Sequence, residues 1–293
     1  MGFSSIDDLV SEVTGGKFIR ADWNKITLAA SAYTIGRWYD MSNLAGTPIA
    51  NAWAGTSLAY TACAETTGNG TQIFGIPHGG AVSTDTKHLL NASVISAVAT
   101  AVPSQLMLVD MCGYWPGINN NTTSPQTLTG TPSLRYTNGA GVRAYLVQTV
   151  AAGAATQNIT LSYTNTVPTS GRSLPVTVTT TASGIIGHIT HSGVAANNYG
   201  PFLPLAAGDL GVSNVASITF SAATTGTAAL VLAKPIMSIP LPIVSVSSER
   251  DFLNQLPSLP RIVDGANLTW LYFAGAATAT NTNFYGSLEF GWG

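Results

Sequence analysis

The chain has 293 residues, of which 8% are charged, against roughly a quarter in an ordinary soluble domain. Its net charge of −2 and sequence pI near 6.0 supply no basic stripe, which excludes direct nucleic-acid binding from expectation. With 45% hydrophobic residues, six Trp, ten Tyr and nine Phe it has enough apolar side chain to bury a core, and so is expected to fold. So thinly charged a surface is poorly suited to stand alone in solvent, and other chains are expected to cover part of it.

Residues 1–42 hold five of the thirteen acidic and four of the eleven basic side chains and are expected to form a separate N-terminal arm. Ser4 or Ser5 is placed to cap a short helix over residues 6–13, with Asp7 and Asp8 favouring its N-terminal dipole and Gly15-Gly16 ending it. Ile6, Leu9, Val10 and Val13 fall on one face of it, which must dock on its own domain or on a neighbouring subunit. The N-terminus lacks a basic and then apolar leader, so a secretory signal is not expected.

Residues 43–145 read as a β-rich region with one helix. The helix is predicted over 84–102 from a Thr84-Asp85 cap, the spacing of Leu89, Val94 and Val98, and the stop at Pro103. Residues 106–110 read as a buried strand and 119–125 as a loop. The apolar stretches 89–109 and 228–246 are interrupted by Asn91, Pro103 and Gln105, and by Lys234, Pro235, Pro240 and Pro242, so neither reads as a membrane span.

Residues 146–293 carry the clearest strand signal. Apolar and polar side chains alternate over 158–163, 175–179 and 217–221, the period of a half-buried strand. Residues 221–232 resemble a hairpin, and 268–274 and 284–292 add closing strands. The expected fold is mainly β, an antiparallel β-sandwich or jelly-roll body with a short N-terminal helical arm.

Candidate chemistry is sparse. His188 and His191 have metal-ligand spacing, but an extended segment points them to opposite faces and no Cys, Asp or Glu lies within fifteen residues. His78, Asp85 and His88 supply a base and an orienter for a hydrolase, yet no serine sits in a nucleophile elbow. A turn histidine and a helix-capping aspartate account for His78 and Asp85. Asp40, Asp110, Asp209 and Glu289 are acids with no pairing specified by sequence. Trp23, Trp38, Trp53, Trp115, Trp270 and Trp292 suit either a sugar platform or core and interface packing. Asn69, Asn91, Asn120, Asn121, Asn158 and Asn267 open formal glycosylation sequons and are expected to be unmodified. Cys63 and Cys112 are too few for a disulfide framework and point to reduced, buried thiols. No residue is assigned a catalytic, cofactor-binding or metal-binding role, and no cofactor is expected.

Residues 17–26 followed by 36–40, residues 106–117, and residues 205–211 leading to 227–235 resemble stretches of a group of tailed-bacteriophage virion structural proteins. That resemblance spans most of the chain and includes no catalytic residue. It implies a protein on the outside of an icosahedral head, made in the bacterial cytoplasm and carried in the virion. There it would clamp the major capsid protein as a cement, decoration or minor capsid protein, commonly as a homotrimer, with no nucleic-acid or membrane partner. Phe18, Trp23 and Trp38 are the aromatics placed to anchor such a contact or to pack on their own domain. The alternatives are the major capsid protein itself, a tail or fibre protein that binds a receptor, or a hydrolase.

Overall fold

A computed structural model describes residues 2–82, 84–98, 101–191, 200–255 and 259–293. In chain order, helix α1 (Ile6–Thr14) precedes β1 (Phe18–Ile26), β2 (Arg37–Asp40), β3 (Ala45–Thr47), β4 (Thr61–Ala62), β5 (Lys87–Ser96) and β6 (Ser104–Asn119). There follow β7 (Gln126–Thr127), β8 (Arg143–Val150), β9 (Asn158–Asn165), β10 (Arg172–Ser173), β11 (Val178–Thr179), β12 (Val212–Phe220) and β13 (Thr227–Leu241). The chain closes with β14 (Ser248–Asp251), the one-turn helix α2 (Phe252–Gln255), β15 (Arg261–Ile262), β16 (Leu268–Ala274) and β17 (Asn283–Trp292).

These strands form three sheets. The outer sheet runs β14-β5-β17-β1-β3 with β15 beside β5, the central sheet β2-β16-β6-β13-β8 with β4 beside β6, and the side sheet β10-β9-β12-β7 with β11 beside β9. Every pairing between named strands is antiparallel. The mainly β architecture and the N-terminal helix match the fold class expected from alternation and turn signals. Each of the stretches 1–42, 43–145 and 146–293 contributes strands to more than one sheet.

The central sheet is curled, and a short segment bridges its two edges. Ile189 N donates to Trp38 O and Asp40 N to Gly187 O on the β2 side, while Gln148 N donates to His188 O and Thr190 N to Leu146 O on the β8 side. The long β6–β13 ribbon carries core packing at both ends. Leu106, Leu108, Trp270 and Tyr272 pack against Trp23, Leu89, Val94 and Phe290 of the outer sheet. Further along the ribbon, Cys112, Trp115 and Leu230 pack against Leu161, Tyr163 and Phe220 of the side sheet. Val109, Met111, Tyr145 and Val231 form a third core with Trp38, Phe74 and Ile189. Burial on both faces explains the near-continuous apolar run of 228–233, which a half-exposed strand does not need.

Three sequence expectations are corrected. Residues 87–96 form a strand, not the helix predicted over 84–102, and residues 99–100 lie outside the described residues. The spacing that suggested a helix also fits period two with one bulge: Leu89, Ala92, Val94 and Ser96 face inward, and the register shifts opposite Glu289 and Phe290. Nine residues of β17 pair with β5, a ladder that overrides weak helical propensity. Residues 221–226 are not a hairpin turn, because β12 belongs to the side sheet and β13 to the central one; they form a corner between sheets. Of residues 175–179, only Val178–Thr179 pair with β9.

Helix α1 starts where capping predicts, with Ser5 Oγ accepting from Asp8 N at 3.0 Å. Its apolar residues do not share one buried face: Leu9 is buried, whereas Ile6 is 74% and Val10 57% exposed. Between β5 and β17 the backbones approach closely at Gly286, where an added Cβ would lie 1.9 Å from the Ser93 carbonyl oxygen. Gly286→Ala is therefore expected to cost about 1–3 kcal/mol of stability through overpacking, read as a lower urea midpoint with unchanged slope. An unchanged midpoint would mean that the outer sheet opens there at little cost.

Candidate functional site

The nominated hydrolase residues do not converge. His78 is fully buried and sits between Glu65 and Lys87, both also buried. Its backbone N–H donates to Glu65 Oε1 at 2.6 Å, and Lys87 Nζ donates to Nδ1 at 2.9 Å. Nε2 lies 2.9 Å from the Ala266 carbonyl oxygen and 3.1 Å from Glu65 Oε2. This pattern requires a neutral ring with its proton on Nε2. Burial holds the His78 pKa below its ordinary value, the Glu65 carboxylate pulls it up, and the Lys87 ammonium adds to the depression. Lys87 also donates to Gly80 O, and its ammonium lies 5.6 Å from the centre of the Trp292 ring. The cluster pins the 65–80 loops, the start of β5 and the turn before β16 together, and its reactive atoms face protein.

Asp85 caps no helix; it pairs with Lys17 at 2.9 Å. His88 lies on β5 with its ring 5.7 Å from that of Phe3. His188 and His191 lie on and just beyond the segment that bridges the central sheet, and both are buried. Burial pushes the His188 pKa down to about 3, helped by Arg37 and His191, and that of His191 down to about 4. Among the described residues, no three of His, Cys, Asp and Glu are grouped to hold a metal ion.

Each nominated acid has its own set of donors. Asp40 accepts from Tyr145 Oη and from Ser42 N, each at 2.7 Å, and burial raises its pKa. Asp110 accepts from Arg135, from Tyr136 Oη at 2.9 Å and from Asn267 N at 2.8 Å. Asn165, Tyr163 and Arg172 hold the Asp209 carboxyl down at about 2. Glu289 lies 3.7 Å from Arg20. No two share a partner, so they form no carboxylate pair for sugar chemistry.

The aromatic platform is not assembled either. Trp23, Trp38, Trp115 and Trp270 are buried in the cores, which also places two of the three nominated arm aromatics inside their own domain; only Phe18 is exposed, at 38%. Cys63 and Cys112 are free and buried, as expected, and burial raises both thiol pKa values, that of Cys63 well above the ordinary range. Three sequon asparagines, Asn69, Asn120 and Asn267, are buried.

What the structure leaves open to a partner is a surface feature. A groove of about 260 Å³ lies between α1 and α2, lined by Leu9, Val10, Val13, Phe18, Leu90 and Leu253. A second, of about 240 Å³, adjoins it and shares Leu9 and Leu253. Ile6, Val10, Phe18 and Leu253 are all exposed along this strip. A larger bowl of about 600 Å³ lies where residues 174–177 bow away from β9, and its walls are uncharged. Sequence reasoning missed the strip because Leu253 and Leu90 are remote from α1 in the chain, and because the one-face reading of α1 hid its exposed residues.

No family model matches the sequence, and no curated protein matches it. Among solved structures, the VP2 subviral particle of infectious bursal disease virus is similar at 12% identity, covering 94% of this chain and 80% of that one, with a TM-score of 0.19. The Gt strain of the same virus gives 8% identity over 94% and 79% of the two chains, with a TM-score of 0.17. Overlaps this slight carry no argument about fold or role. The fold therefore stands on its own strands: a mainly β, antiparallel, jelly-roll-like body with a curled central sheet. Among the described residues, no helix is long and apolar enough to cross a membrane.

Proposed function

We propose that this chain is a non-enzymatic structural protein of a bacteriophage particle that braces the icosahedral capsid as a cement, decoration or minor capsid protein. The observation that carries the reading is the exposed apolar strip along α1 and α2, on a chain with only 8% charged residues. Such a strip marks a surface meant to be covered. His78 is bonded within a buried cluster and Asp85 is paired with Lys17, and the tailed-phage resemblance of residues 17–26 with 36–40, of 106–117, and of 205–211 with 227–235 supports the virion setting. The partners proposed are the major capsid protein and two further copies of this chain. Many symmetric contacts, each weak, add to a large resistance to outward pressure.

Negative-stain electron microscopy of the purified chain tests the self-association. Small uniform trimers are expected. Closed shells would move the reading to the major capsid protein, and single compact particles at micromolar concentration would contradict the trimer.

A further inference from the structure

The strip carries a statement about what covers it. Helix α1 bears Asp7, Asp8 and Glu12 and has no base in its last turn. The lysine at its foot, Lys17, is already held by Glu12 and Asp85, each at 2.9 Å. The α1 side of the grooves thus keeps an excess of acid, with Asp7, Asp8, Glu12 and Asp85 set against Lys17. A second copy laid α1 to α1 would set one acid excess against another, and an anionic membrane surface would be repelled. At the floor of the groove β5 is paired with β17 on one side and with β14 and β15 on the other, so it has no free edge there for an added strand. A partner must therefore satisfy its own backbone and bring apolar anchors, which is what a helix does.

We infer that the α1–α2 strip docks an amphipathic helix of another protein, two apolar side chains entering the adjoining grooves and Lys or Arg flanks meeting Asp7 and the acid excess around it. This rests on the reading of the strip as the docking surface of a virion protein.

The test is fluorescence anisotropy of the full chain with a labelled 18-residue Leu/Lys amphipathic helix, beside a Leu/Glu helix with the same apolar face. The Leu/Lys peptide is expected to bind at least tenfold more tightly. Val10→Asp and Leu253→Asp are expected to weaken it at least tenfold, while Leu210→Asp, at a residue 75% exposed and outside the strip, leaves it unchanged. Both strip substitutions are at exposed positions, and circular dichroism checks that the fold is kept. Equal binding of the two peptides, or insensitivity to Val10→Asp, overturns the inference. So does sedimentation showing an oligomer that Val10→Asp dissociates, because the strip is then covered by a second copy. The location of the chain in virus particles tests the functional reading separately, and neither result dictates the other.

Discussion

Arg135→Met is expected to lower the unfolding free energy by about 3–5 kcal/mol, the range seen when one member of a buried ion pair is removed. Asp110 is fully buried, and Arg135 reaches it with both Nε and Nη2. The guanidinium also donates to Cys63 O at 2.6 Å and to Met111 O at 3.2 Å. Without it, a carboxylate remains in the interior with Tyr136 Oη and Asn267 N as its donors among the described residues. Methionine fills similar volume, so the loss measures charge and hydrogen bonds more than packing. The site joins the β4–β6 ladder, residues 134–136 and the turn before β16, so the loss is expected in global rather than local unfolding. Urea denaturation reads it as a fall in midpoint. Arg135→Met combined with Asp110→Asn is expected to lose less than the sum of the two single changes. A loss under about 1 kcal/mol for Arg135→Met would show that water reaches the pair and solvates it.

The second large effect is with acid. His188 and His191 have folded pKa values lowered from 6.5 to about 3 and about 4 by burial, and among the described residues neither ring nitrogen of His188 has a hydrogen-bond partner. Below pH 6.5 the unfolded chain therefore binds protons that the folded chain refuses. The stabilisation is fully present above pH 6.5 and is lost as pH falls. Between pH 8 and pH 5 each ring is expected to remove about 2 kcal/mol, or about 4 kcal/mol for the two. His78 and His88, whose pKa values are also lowered by burial, act in the same direction. Asp40 acts against them, because its raised pKa lets the folded state take up a proton. Unfolding free energies at pH 8, 6.5 and 5 measure the slope, and His188→Gln is expected to flatten it. Equal stability at pH 8 and pH 5 would show that these rings charge freely in the folded state. The segment most exposed to this effect is the bridge across the central sheet, which contains His188.

The parts of the fold that could be read from the sequence are those in which local pattern and tertiary pairing agree. The alternation of 158–163 became β9, that of 217–221 the end of β12, and the apolar run 106–110 the start of β6. Ser5 and Gly15-Gly16 bound α1 through local hydrogen bonds alone. What could not be read depends on distant partners. β5 is a strand because β17, almost two hundred residues later, pairs with it. Glu65, His78 and Lys87 assemble through loops whose spacing follows no motif, and Arg135 finds Asp110 across 25 residues of unrelated pattern. The docking strip was half visible. Periodicity identified the apolar residues of α1, but only the fold shows that Leu9 points in while Ile6 and Val10 point out.

The place proposed for this chain is the capsid of a phage particle. Immunogold electron microscopy of particles from its source, with an antibody raised against the purified chain, tests that most directly. Gold distributed over the heads is the expected result. Gold confined to tails, or particles that carry none, would contradict it.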